Sequence, residues 1–150
     1  MDATKVLKNL IQLDIDAIRA YEHAIRAAEH EVVSSRLQEF KGDHERHVRE
    51  LSEHVRKLGG EPPDKPDLKG FVIEGFTAVT SIGTRSALMA MMGNEQLTTS
   101  RYKAALDEDL PPDAKGVVER NYGDEQRHLA WIRQALDQKI WEQQGPSAQV

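Results

Sequence analysis

The chain contains no cysteine, which excludes disulfides, thiolate nucleophiles, iron-sulfur clusters and rubredoxin-type electron-transfer sites together. Aromatic residues are scarce, at 5% of the total. Strands favour aromatic and β-branched side chains, so this shortage argues against a sheet. No run of about 18 apolar residues occurs, and residues 1–10 lack an apolar stretch of signal-peptide length. Nor is charge of one sign gathered anywhere: 20 basic and 25 acidic residues are interspersed, for a net charge of -5, leaving no basic stripe for nucleic acid. The expectation is a soluble cytoplasmic protein with neither a membrane nor a nucleic-acid partner. Its 150 residues suit one domain with a sizeable core.

The chain is instead rich in the ingredients of amphipathic helices, with 39% hydrophobic and 30% charged residues. Leu7, Leu10, Ile11, Ile18, Tyr21 and Ile25 recur every three or four residues and define a first helix. Ser35 and Gln38 have the spacing of a capping box for a second, which runs through Leu37, Phe40, Leu51 and Val55 until Gly59 and Gly60 stop it. The Gly- and Pro-rich stretch 59–70 reads as a connection, and the apolar segment Phe71 to Val79 as a short extra helix. Ser81, Gly83 and Thr84 offer a break and a new cap. A third long helix is expected from about Arg85 to Leu106, and a fourth from Pro111 and Pro112 to about Trp141. Short links within each pair force antiparallel hairpins, whereas the connection between helices two and three is long enough to cross the bundle. The expected architecture is all-α: a ferritin-like antiparallel four-helix bundle over residues 1–144, followed by a flexible tail over 145–150.

Two segments repeat each other at an offset of 81 residues. Asp14 and Tyr21 recur as Glu95 and Tyr102; Gly42, Asp43, Arg46 and His47 recur as Gly123, Asp124, Arg127 and His128. Identity is low, but the matches fall on metal-binding residue types, as expected if two helical hairpins each bring one ligand set to a shared centre. The helical register supports this. It places Asp14, His44 and His47, Glu95, and Glu125 and His128 in the middle of the four apolar stripes. Burying unpaired carboxylates costs several kcal/mol each or forces them to protonate; a divalent cation is the simplest compensation. Carboxylate oxygen with imidazole nitrogen suits Fe, Mn or Zn. Without metal, crowding of Asp14, Glu95 and Glu125 is expected to raise all three pKa values.

The stretches LDIDAIRAY (13–21), GNEQLTTSRY (93–102) and DEQRHLAW (124–131) resemble the helix motifs of the ferritin-like di-iron carboxylate superfamily, as found in bacterioferritin-like and rubrerythrin-like bundles. With LGGEPP after helix two and a Phe/Val-rich segment before helix three, the pattern is closer still to a bacterial ferritin-like family of unknown function. The resemblance implies Asp14 and Glu95 as terminal ligands, Glu125 as a bridging ligand, and His47 and His128 as terminal imidazoles around two Fe ions, with Mn or single-metal occupancy as alternatives. One residue departs from the pattern. Helix two reads D-H-E-R-H, with His44 where the family places a bridging Glu, and imidazole ordinarily ligates one metal.

Around these ligands, Tyr21 and Tyr102 are expected to pack in the core with a hydrogen bond to a ligand. Asp43 and Asp124 either orient His128 and His47 across the bundle or simply face solvent. Arg46 and Arg127 are expected in surface salt bridges, and His54 either over the cluster or in solvent. Two function classes stay open. One is a redox di-metal protein of ferroxidase or peroxidase type, taking metal ions and oxygen or peroxide as partners. The other is a metal-free structural or stress-associated bundle. A homodimer fits either class; a 24-subunit cage does not, because nothing after Trp141 supplies a fifth helix.

Overall fold

The computed structural model describes residues 2–66 and 83–143. The expected segment 71–79 and tail 145–150 lie outside them. Four helices account for most of the described chain: α1 (Ala3–Ala27), α2 (Glu31–Lys57), α3 (Thr84–Ala105) and α4 (Pro112–Asp137). No strand occurs among the described residues.

The helix boundaries follow local chemistry, with two departures from the sequence pattern. Helix α2 starts at Glu31 with His30 at its N-cap, so Ser35 lies inside the helix and its capping box is unused. Glu31 in the first turn, with Arg56 and Lys57 in the last, complements the helix dipole instead. The helix ends in a left-handed Gly59 (φ 82°), with the Gly60 amide donating to the Val55 carbonyl. A Cβ on Gly60 would lie 2.7 Å from the Thr4 side chain, so glycine lets this turn close onto the start of α1. Helix α4 opens with Pro112 at its first turn, where no amide hydrogen is needed. It stops at Asp137 rather than near Trp141, because Lys139 turns left-handed (φ 49°) and Ile140–Glu142 form a 3-10 turn. Thr84 caps its neighbour rather than its own helix. Its hydroxyl accepts hydrogen bonds from the Glu29 and His30 amides and so pins the α1–α2 turn to the start of α3.

Helices α1 and α2 pair as one antiparallel hairpin, α3 and α4 as the other. Asp14 meets Tyr102 while Tyr21 meets Glu95, so α1 and α3 also run antiparallel. Across the fourth seam Asp43 faces His128, Arg46 faces Asp124 and Glu50 faces Arg120. That descending order makes α2 and α4 antiparallel too.

Two apolar clusters fill the interior. One contains Tyr21, Phe40, Leu88, Met91 and Ile132; the other contains Leu7, Ile11, Leu51, Val55, Tyr102 and Val118. Each buried aliphatic or aromatic side chain contributes about 1.5–3 kcal/mol. Leu136 and Ile140 are only partly buried at the edge of the first cluster.

Candidate metal centre

Between the two apolar clusters lies one polar layer. Asp14, His44, His47, Glu95, Glu125 and His128 are all at most 1% exposed, so all six residues read from the helical register point inward. Two overlapping quartets of potential ligand atoms result: Asp14, His44, His47 and Glu125, and His44, Glu95, Glu125 and His128.

The hairpins support each other's polar groups in a crossed pattern. The Tyr21 hydroxyl of the first hairpin donates to Glu95 of the second, and the Tyr102 hydroxyl of the second donates to Asp14 of the first. His47 Nε2 lies 2.9 Å from Asp124 Oδ2, and His128 Nε2 lies 2.7 Å from Asp43 Oδ2. These aspartates therefore orient the imidazoles across the bundle rather than face solvent alone. With Nε2 committed outward, each ring presents Nδ1 to the layer. The outer rim is ionic. Arg46 pairs with Asp43, Glu50 and Asp124, and Arg127 with Glu39, Asp43 and Asp124. His54 takes no part; it lies 3.7 Å from Asp113 near the far end of α2.

His44 occupies the centre. Its Nδ1 is 2.6 Å from Asp14 Oδ1, and its Nε2 is 3.0 Å from Glu95 Oε1. The ring is wedged among Tyr21, His47 and His128, with centroid separations of 5.4, 5.4 and 5.3 Å.

These pairings correct the expectation that all three carboxylates titrate high. Burial does push Asp14 upward, but the charge of His47 and the bonds with His44 and His47 outweigh it and leave Asp14 below its ordinary value. Glu95 likewise sits well below its ordinary value, because contacts with Glu125, His44 and His128 outweigh burial. Only Glu125 is raised, by burial and by the neighbouring Glu95 charge. The histidines carry the complementary shifts. Burial opposes their charge, yet Asp14 and Asp124 push His47 up to about 10, and Asp43, Glu125 and Glu95 do the same for His128. His44 is also held well above its usual range, as Glu125 and Glu95 outweigh burial. The three imidazoles interleaved with the carboxylates offset the repulsion that carboxylate crowding alone would produce.

The layer is not fully satisfied. Glu125 Oε1 and His128 Nδ1 are buried without a well-formed hydrogen bond. Their nearest charged neighbours are His44 and His47 Nδ1 at 3.5 Å, and Glu95 Oε1 at 3.3 Å, respectively. A carboxylate oxygen and an imidazole nitrogen, both able to offer a lone pair and both lacking a hydrogen bond within an all oxygen-and-nitrogen set, fit a hard or borderline divalent cation.

Three contributors escaped the sequence reading. The Thr98 hydroxyl lies within 3.2 Å of Glu95 Oε2 and 3.0 Å of Glu125 Oε2, a single donor between two carboxylates. Phe40 stacks on His128 at 4.2 Å and closes one end of the layer. Asn121 is fully buried one turn before Glu125. Both positions fall in the inward registers of their helices, Thr98 one turn after Glu95 and Asn121 one turn before Glu125, but nothing in the spacing identified their partners.

The fold and site define the class: a ferritin-like four-helix bundle with a buried His/Asp/Glu layer compatible with metal. Two solved structures share this architecture. One is of ferritin-like, diiron-carboxylate proteins from Bacillus anthracis str. Ames, with a TM-score of 0.73 and 18% identity over 89% of this chain and 94% of that one. The other is the bacterioferritin-related protein from Bacteroides fragilis, described as a dodecameric thioferritin, with a TM-score of 0.79 and 14% identity over 93% and 89%. Within that class, the chain belongs to the family described as Domain of unknown function (DUF2383), whose model matches residues 2–108. The uncharacterized protein YhjR of Bacillus subtilis (strain 168) is 27% identical over 126 residues, covering 84% of this chain and 81% of the relative. No described helix is long and apolar enough to cross a membrane.

Proposed function

We propose that the chain binds a pair of divalent metal ions, iron with manganese as the alternative, among Asp14, His44, His47, Glu95, Glu125 and His128, and oxidises Fe(II) with oxygen or peroxide. The observation that carries this reading is the pair of unsatisfied atoms, Glu125 Oε1 and His128 Nδ1, inside two quartets that share Glu125. In the proposed roles, Asp14 and His47 serve one position, Glu95 and His128 the other, and Glu125 both. A bound pair of iron ions would supply two one-electron oxidations and open coordination positions. The chain's own contribution is orientation and dryness. Tyr21 and Tyr102, kept neutral by burial and by the adjacent carboxylates, fix the oxygens of Glu95 and Asp14. Asp43 and Asp124 fix the two terminal rings, and the apolar clusters on either side exclude bulk water.

A metal-free bundle is the second reading. What favours it is that every histidine of the layer already faces a carboxylate within 3.0 Å, so the layer is largely balanced by its own imidazoles. Elemental analysis after anaerobic Fe(II) loading separates the two. Between one and two ions per chain, reduced in Glu125→Ala, is the expected outcome. Occupancy well below one would leave only the metal-free bundle, and occupancy indifferent to Glu125 would overturn the site named here.

A further inference from the structure

We propose that His44 serves both metal positions at once, one ring nitrogen to each, so that its imidazole is a second bridge beside Glu125. This rests on the layer binding metal as argued above.

The geometry that carries it is the difference between His44 and the other two histidines. His47 and His128 each spend Nε2 on an outer aspartate and keep one nitrogen for the layer. His44 has no outer partner: both of its nitrogens end inside the layer, on opposite sides of the ring. Nδ1 faces Asp14 Oδ1 at 2.6 Å and Glu125 Oε1 at 3.5 Å; Nε2 faces Glu95 Oε1 at 3.0 Å. Glu125 divides in the same sense. Its Oε1 lies toward His44 and His47, and its Oε2 lies toward His128 at 3.7 Å. His44 and Glu125 are accordingly the two residues common to both quartets. Packing against Tyr21, His47 and His128 prevents the ring from turning out of this position.

The chemistry follows from the ring's two lone pairs. A neutral imidazole has one free lone pair and one N–H, which suits a single metal. Serving two requires that both ring protons leave, each replaced by a divalent cation whose charge stabilises the resulting imidazolate. From the doubly protonated ring, the balance is two protons released for two ions bound. The position where the superfamily pattern has a bridging carboxylate thus keeps a bridging anion, built from a ring.

The test is the proton inventory of His44 in the full-length protein, with ring-15N-labelled histidine and Zn(II) as a diamagnetic probe. The expected result is two Zn(II) per chain, no N–H on either His44 nitrogen, and one N–H retained on each of His47 and His128. His44→Gln, which offers one ligand atom, identifies the signal and is expected to lower capacity to one Zn(II). Should that variant not fold, through-bond assignment of the wild-type ring gives the same count. Two Zn(II) with an N–H remaining on His44 overturns the bridge and leaves the metal site standing. One Zn(II) in the wild type overturns it as well, and no Zn(II) removes both readings.

Discussion

Raising the pH should destabilise the metal-free protein through its histidines. His47 and His128 titrate near 10 in the folded chain, against an ordinary value of 6.5. Between about pH 7.5 and 9 the folded state therefore holds one more proton at each ring than the unfolded state does. That contribution is fully present below pH 6.5 and is lost as the pH rises through 10. Each excess proton is worth about 1.4 kcal/mol per pH unit. Two independent rings would give about 2.7 kcal/mol per unit, and coupling through the shared carboxylates lowers this toward half. For a chain of this size about 1 kcal/mol moves Tm by about 2–4 °C, so Tm should fall by about 3–10 °C per pH unit. The depressed carboxylates Asp14, Glu95 and Asp124 act at the other end. Their contribution is present above their ordinary values, near 4, and is lost as pH falls below them, which puts the metal-free optimum at about pH 4.5–6.5. Far-UV circular dichroism melts of metal-free protein from pH 5 to 9 read this directly. A Tm that is equal at pH 6.5 and 9 would refute the ion-paired layer, as would a slope unchanged in a His47→Gln/His128→Gln variant.

Metal should reverse that trend, because cations take the place of the ring protons. Mn(II) or anaerobic Fe(II) at 100 times the dissociation constant found at pH 8 should stabilise by about 2.7 kcal/mol there, and the same concentration should raise Tm less at pH 6. Tyr102→Phe removes a hydrogen bond to buried Asp14 and should cost about 1.5–3 kcal/mol in metal-free melts; an unchanged Tm would deny that bond. Asp43→Asn or Asp124→Asn should weaken metal affinity by about 10- to 100-fold without lowering capacity, measured by equilibrium dialysis. Arg46→Gln, on the half-exposed rim, should cost no more than about 1 kcal/mol in a thermal melt.

The sequence was most informative where side-chain spacing alone decides the outcome. A 3.6-residue period fixes which residues face inward, and so all six candidate ligands were legible, as was the crossed support of His47 and His128, which the repeat offered as one of two options. What the spacing could not resolve depends on neighbours from other helices. The start of α2 was misplaced because Thr84, more than 50 residues away, holds the α1–α2 turn and makes a local cap unnecessary. The pKa directions were misjudged for Asp14 and Glu95 because three imidazoles from two helices interleave with the carboxylates. Thr98 and Asn121 went unnoticed because a polar residue in an inward register becomes informative only once its partners are known.

The crossed support has a consequence for how this chain folds. Neither hairpin contains a complete site: Tyr21 reaches 74 residues ahead to Glu95, Tyr102 reaches 88 back to Asp14, and the aspartate–histidine pairs span 77 and 85. Each hairpin can assemble from local contacts, but the polar layer exists only after the two have docked and the long connection between them has closed. Until then each hairpin offers a cation only its own three ligands, Asp14, His44 and His47 on one and Glu95, Glu125 and His128 on the other, and neither quartet is complete. A cation in either quartet would join three helices, and the two quartets together all four, so full coordination would follow the docking of the hairpins and hold them together.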